Sequence, residues 1–273
     1  MRAPRLTLSQ RLFLLTAAAL LPGLAILGFN EVTLRQSRAA DLHVYSARVS
    51  ELAHLEMERV VTGAAALMVA VATSPSVQER DLDACDAYLT KLQATLPQVN
   101  VITITDAAGR SVCSSDQEAG QDLTTKTAEL LQALETKFFA VGSYVMTAKG
   151  PGLTLGTKAP GVDGQDAGYV LASIGLDYLG ELLRDRSSTP GSALSVADRN
   201  GIILAREPLP EQFVGTKIPD AYLPLVTGQQ SGTIDLISQD GTHRIMGYQP
   251  ATSGLGLYVS AGVSLEQSFA PIN

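Results

Sequence analysis

The hydrophobic pattern of the chain changes period several times, and each change predicts an element. Leu12 to Phe29 is an unbroken run of eighteen uncharged residues, long enough to cross a bilayer core as a helix at ~1.5 Å rise per residue. From Glu31 to about Ala72 the apolar positions recur at three- and four-residue steps. Leu42, Tyr45, Val49 and Leu52 come first and then, after a change of phase, Met57, Val60, Ala64, Leu67 and Val71. That spacing predicts one long helix. A helix of about forty residues spans ~60 Å, more than a globular domain needs. Its first half therefore reads as a stalk or dimer contact and its second half as a wall of its own domain. Thr73-Ser74-Pro75-Ser76 ends it.

A second helix is predicted over Asp81–Leu96, with Leu82, Cys85, Leu89, Leu92 and Leu96 on one face. The pattern then turns strand-like. Val101-Ile102-Thr103-Ile104-Thr105 is β-branched throughout, Asp106-Ala107-Ala108-Gly109 is a turn, and Arg110 to Cys113 starts a return strand. A helix over Leu123–Thr136 follows, then strands over Phe139–Thr147, Leu153–Ala159 and Ala167–Leu176, joined by hairpin loops at 148–152 and 161–166. Asp177 is expected to cap a short helix through Arg184.

The chain then repeats itself. Ala193 to Leu204, with Asp198-Arg199-Asn200-Gly201 at its centre, restates Val101 to Val112 as strand, Asp-x-x-Gly turn, strand. Tyr258 to Leu265 echoes Tyr169 to Leu176, and Thr242–Tyr248 and Leu257–Val263 form a further strand pair. Matching elements in the same order predict two tandem α+β modules, each built on a mainly antiparallel sheet, with the long helix alongside. The expected division is a tail at 1–11, a transmembrane anchor at 12–29, the long helix at 30–73, and modules at 74–187 and 188–273.

Charge and cysteine usage place the chain. Arg2, Arg5 and Arg11 precede the apolar run with no Asp or Glu among them, which keeps residues 1–11 in the cytoplasm and puts residues 30–273 outside it, periplasmic or extracellular. A cleavable signal peptide is the alternative, but the run is longer than the usual ~7–15 residues and no small-x-small site adjoins it. The net charge is −7 and no basic cluster occurs, which excludes a nucleic-acid footprint. No Trp is present, which argues against a carbohydrate-stacking surface. Cys85 and Cys113 are the only cysteines, both in the part read as external, so a disulfide between them is expected. It would stabilise by ~3 kcal/mol through loop closure.

Catalytic signatures are absent: no GxSxG, HExxH, P-loop or GxGxxG occurs. Asp106 and Asp198 are explained by turn chemistry, and an acid/base pair would require them to meet in space. Asp163 and Asp166 are too few ligands for a calcium site, so neither metal nor cofactor is expected, and the chain reads as no enzyme. A tethered hydrolase and a ligand-free structural partner protein are the competing readings.

These pieces together resemble the double Cache sensor region of bacterial transmembrane receptors of the histidine kinase, diguanylate cyclase and chemoreceptor type. The resemblance rests on Ile104–Ser115, Phe139–Tyr144, Val196–Arg206, Gly215–Ile218 and Ala261-Gly262-Val263, in that order. It implies two PAS-like sheets in tandem, a small-molecule ligand in the first, membrane-distal module, and a signal carried along the long helix. The chain lacks the Arg-x-Trp-Tyr cluster of the amino-acid-binding subgroup, having no Trp. Lys126, Tyr144, Thr147, Thr157 and Lys158 are the polar residues best placed to line the pocket, and two lysines suit an organic anion. The last residues, Ser268 to Asn273, bring no second membrane run, so the chain reads as a truncated receptor or one that acts through a partner, with a homodimer through the stalk helix as the candidate assembly.

Overall fold

The computed structural model describes residues 8–78, 82–160, 166–184, 191–254 and 256–270. The chain falls into two units, residues 1–45 and 46–273. Helix α1, Leu8–Ala72, contains the apolar run and the whole of the periodic stretch that follows. Most side chains between Leu8 and Arg35 lie outside the described set; of those described in the first unit, Leu20, Leu21, Ile26, Leu27 and Phe29 are 63–75% exposed. Among the described residues no helix is long and apolar enough to cross a membrane.

The second unit contains two five-stranded antiparallel sheets. The first is built from β1 (Val99–Asp106), β2 (Ser111–Ser114), β3 (Phe139–Thr147), β4 (Gly150–Pro160) and β5 (Asp166–Gly175) in the order β2-β1-β5-β4-β3. The second uses β6 (Ala193–Asp198), β7 (Ile203–Glu207), β8 (Gly232–Ile237), β9 (His243–Gln249) and β10 (Leu257–Ser264) in the order β7-β6-β10-β9-β8. Strand for strand these are the same topology, so the internal repeat is a duplicated sheet. Its register repeats too: Thr103 pairs with Ser114 and Leu171, and Ser195 pairs with Arg206 and Ser260.

Both β1–β2 and β6–β7 turn through an Asp whose side chain holds the loop. Asp106 Oδ1 accepts from the N–H groups of Ala108 and Arg110, and Asp198 Oδ1 from those of Asn200 and Ile202. Gly109 and Gly201 sit at φ 78° and 79°, a left-handed conformation that a side chain resists.

Short helices fill the connections: α2 (Pro75–Gln78), α3 (Leu82–Ala94), α4 (Gln117–Lys126), α5 (Ala128–Thr136), α6 (Leu176–Arg184), α7 (Pro210–Phe213), α8 (Leu223–Thr227) and α9 (Leu265–Phe269). The main core joins Met57, Val61, Met68 and Val71 of α1, Cys85 and Leu89 of α3, and Leu179 and Leu183 of α6 to one face of both sheets. Apolar residues at helical spacing therefore bury against the alternate residues of the strands, such as Ile102 and Ile104 or Leu194 and Val196. At Ser46 the helix touches β9 directly. Its hydroxyl donates to the Ile245 carbonyl at 3.0 Å, and a Cβ on Gly247 would lie 2.6 Å from Ala47 N, so only glycine fits there. A disulfide links Cys85 of α3 to Cys113 of β2, with a Cα–Cα separation of 6.0 Å.

Several expectations need correction. The helix expected over Leu123–Thr136 is two helices. Asp116 caps α4 by accepting from the Ala119 N–H at 3.1 Å, and the chain breaks at Thr127 (φ −117°, ψ 29°), whose hydroxyl bonds back to the Leu123 carbonyl. The 148–152 loop is shorter than expected, because Gly150 (φ 113°) already belongs to β4. Asp177 lies in the first turn of α6, which begins at Leu176, so it does not cap it. Strand β8 has no counterpart in the pattern reading. It is an edge strand with Ile237 exposed, and its half-buried alternation is too weak to stand out.

Candidate functional site

Each sheet turns one face toward the long helix and the other toward its own covering segments. In the first sheet that outer face carries Val101, Thr103 and Leu171 beneath Leu123 of α4 and Leu130 and Leu134 of α5. It is closely filled. The Thr103 and Ser114 hydroxyls share a hydrogen bond at 2.9 Å, and α4 comes so near that a Cβ on Gly120 would lie 2.8 Å from Thr103 Oγ1.

Beside this face, α4 and the β3–β4 hairpin bound a recess of ≈ 560 Å³ lined by Glu118, Asp122, Thr125, Lys126, Met146 and Thr147 among others. It brings together two of the five residues singled out from the sequence. Lys126 is ion-paired with Asp122 and donates to the Met146 carbonyl at 2.8 Å. The Thr147 hydroxyl donates to the Gly150 carbonyl at 3.0 Å. The other three are elsewhere. Lys158 donates to the Glu135 carbonyl at the end of α5, at 3.3 Å. Thr157 is paired with Val170 on the opposite face of the sheet, buried, donating to the Phe138 carbonyl. Tyr144 faces the second module, its backbone N–H donating to Asp198 Oδ2 at 2.9 Å.

That last bond shows that the two Asp turns are not equivalent. In the first module Asp106 Oδ2 takes the Arg110 guanidinium at 2.8 Å; the Arg110 backbone N–H in the first place, with its guanidinium, holds the carboxyl below its ordinary range. In the second, Asp198 is fully buried, and its free oxygen crosses to β3 of the first module. Asn200 Nδ2 adds a bond to Ser143 Oγ at 3.0 Å, and Arg199 bonds the Val141 carbonyl. The aspartates hold separate turns and form no catalytic dyad.

Sequence reasoning missed one constellation. Arg206 lies on the outer face of the second sheet, at the register position that Ser114 holds in the first. Its guanidinium donates to Ser195 Oγ at 3.1 Å, Ser238 Oγ at 3.2 Å and Asp240 Oδ2 at 3.3 Å, and lies 4.5 Å from the centre of the Phe213 ring. Arg244 shares Asp240, reaching Oδ1 at 2.5 Å. Burial alone would raise the Asp240 pKa, but Arg244, the Thr242 N–H and Arg206 outweigh it and hold it at about 2. Burial pulls Arg206 below its ordinary value, with Asp240 opposing, and pushes the neighbouring Tyr258 phenol up. The signal was an arginine closing the otherwise apolar run Ile202-Ile203-Leu204-Ala205. Of the acidic pair weighed for calcium, Asp163 and the Asp166 side chain lie outside the described residues; among the described residues no group of three His, Cys, Asp or Glu could hold a metal ion.

No family model matches the chain, and no curated protein matches it in sequence. Its structure, however, is similar to solved sensor domains. The extracellular domain of the histidine kinase-type protein rpHK1S-Z16 superposes with a TM-score of 0.69 at 17% identity, over 88% of this chain and 99% of that one. The ligand-binding domain of the Pseudomonas fluorescens chemoreceptor CtaA, in complex with L-isoleucine, gives 0.66 at 18% identity over 87% and 98%. That of the Pseudomonas aeruginosa amino acid chemoreceptor PctB, with L-Arg, gives 0.63 at 17% over 84% and 90%. The chain therefore has the fold of extracytoplasmic ligand-binding sensor domains of histidine kinases and chemoreceptors. That fold agrees with the double Cache arrangement the sequence resembles.

Proposed function

We propose that the chain is the sensing part of a transmembrane signalling receptor, anchored in the plasma membrane by residues 12–29, with residues 1–11 cytoplasmic and residues 30–273 periplasmic or extracellular. The observation that carries this reading is the duplicated sheet of identical strand order packed on one long helix, the fold shared with CtaA and PctB, whose solved complexes hold amino acids. The anchor is supported by apolar side chains such as Leu21, Ile26 and Phe29 that find no protein partner to cover them, each costing about 2 kcal/mol in water. The modules are assigned to 74–187 and 188–273, the first membrane-distal.

The ligand is assigned to the recess beside α4 in the first module. Lys126, paired with Asp122, offers a cation that a ligand carboxylate would share or take over, and Glu118 and Asp122 offer anions within the same recess, a set that fits an α-amino acid as a zwitterion better than an organic anion. Ligand binding would bias the packing of the modules against α1, a population shift between two arrangements.

Thermal-shift titration of the detergent-solubilised full chain against L-amino acids and organic acids tests this. A ligand at a hundred times its Kd stabilises by about 2.7 kcal/mol. Replacing Lys126 with Ala should weaken that ligand at least tenfold; unchanged affinity removes the site assignment, and no shift with any compound removes the sensor reading. The filled outer face of the first sheet favours one competing reading, a tethered partner protein without a ligand. Constitutive co-purification with a membrane protein, together with a flat ligand screen, would select it.

A further inference from the structure

We propose that the second module carries a site of its own, a cavity in which Arg206 holds a small monocarboxylate of acetate or propionate size. The cavity lies between the outer face of the second sheet and the segments that cover it, and Arg206, Ser195, Ser238, Tyr222, Tyr258 and Ser260 are among its walls.

Three observations converge on an anion. The Arg206 side chain is only 6% exposed, yet its Nε–H has no partner, although an unmet buried donor is costly. The charges around it do not balance: Arg206 and Arg244 share the single carboxylate of Asp240, so the buried cluster carries one excess positive charge. Two acidic side chains on the strands beside the cluster are engaged elsewhere, Glu207 with Arg184 and Asp235 with His243 at the surface. A buried charge left uncompensated is strongly unfavourable, and one bound anion corrects both deficits.

The size and lining narrow the anion. The cavity measures ≈ 40 Å³, while one water needs about 10–15 Å³ on the same measure, which leaves room for about three waters, a space that the closely bonded heavy atoms of acetate or propionate would fill. Leu236 and Met246 supply an apolar end for a methyl or ethyl group. At the polar end Nε–H meets one carboxylate oxygen. Ser195 Oγ, which accepts from Arg206, keeps its own proton to donate to the other. In the first sheet Ser114 fills the equivalent position, so the site belongs to the second module and stands independently of the Lys126 recess.

Isothermal titration of the full chain in detergent with acetate and propionate, against chloride and nitrate at matched ionic strength, tests the proposal. Saturable binding of a carboxylate is expected, at least tenfold tighter than chloride, weakened at least tenfold by Arg206→Gln, and retained in Arg110→Gln, which removes a surface charge. If Arg206→Gln does not fold, Ser260→Phe fills the cavity while keeping both arginines, and it too should abolish binding. Chloride binding as tightly as acetate, no carboxylate binding, or binding that survives either cavity variant overturns it.

Discussion

Asp198→Ala should be far more damaging than the same change at Asp106, although both residues open the same Asp-x-x-Gly turn. Asp198 accepts three backbone hydrogen bonds, from Asn200 and Ile202 at 2.9 Å each and across the module boundary from Tyr144 at 2.9 Å. It is fully buried; of its donors, the Asn200 N–H belongs to an exposed residue and water can serve it, while those of Ile202 and Tyr144 belong to half-buried residues and are left largely stranded in the variant. At about 1–3 kcal/mol for each of the two stranded donors, the loss comes to roughly 4 kcal/mol. Asp106 makes two turn bonds and an ion pair to an Arg110 side chain that is 81% exposed. Solvent replaces most of this, and about 1 kcal/mol is expected. At about 2–4 °C per kcal/mol for a unit of this size, Asp198→Ala should lower Tm by about 10–15 °C and Asp106→Ala by about 3 °C. Asp198→Asn keeps an acceptor for the turn but presents an amide to Tyr144, so it should fall between them. The measurement is thermal unfolding of the full chain by circular dichroism in one detergent. Equal shifts for the two alanine variants would refute the claim that Asp198 ties the modules together.

The disulfide closes a 28-residue separation, for which the chain-entropy relation gives about 3.5 kcal/mol. Cys85→Ser with Cys113→Ser should therefore lower Tm by roughly 7–14 °C, and reductant should do the same to the wild type and nothing to the variant; a Tm indifferent to reductant would count against it. Asp240, held at about 2 in the folded chain, has a depressed pKa. It thus contributes stability at pH above its ordinary value of 3.8, and that stability is lost as pH falls from there through about 2. The amount is roughly 2 kcal/mol, visible as a steeper acid limb in urea midpoints for the wild type than for Asp240→Asn; parallel limbs would remove the ion-pair account.

What the sequence revealed and what it hid follow from the range of the interactions. The turns were legible because Asp106 with Gly109 and Asp198 with Gly201 specify a local conformation within four residues. The duplication was legible because the strands flanking them repeat the same apolar alternation. The residues that distinguish the two copies act over longer range. Arg110 sits four positions after Asp106 and occupies its second oxygen; the corresponding position after Asp198 is Ile202, which leaves that oxygen free for Tyr144. Tyr144 was chosen from the sequence as a pocket residue, but it is its backbone that matters at the boundary, through a pairing 54 residues away. Ser114 and Arg206 likewise share a register position. Arg206 acquires its significance only from Asp240, in a hairpin 34 residues later. Local patterning thus sets the copies alike, and their difference lies in a few long-range polar contacts: a filled outer face with an adjoining recess in the first module, and a buried arginine beside a cavity in the second.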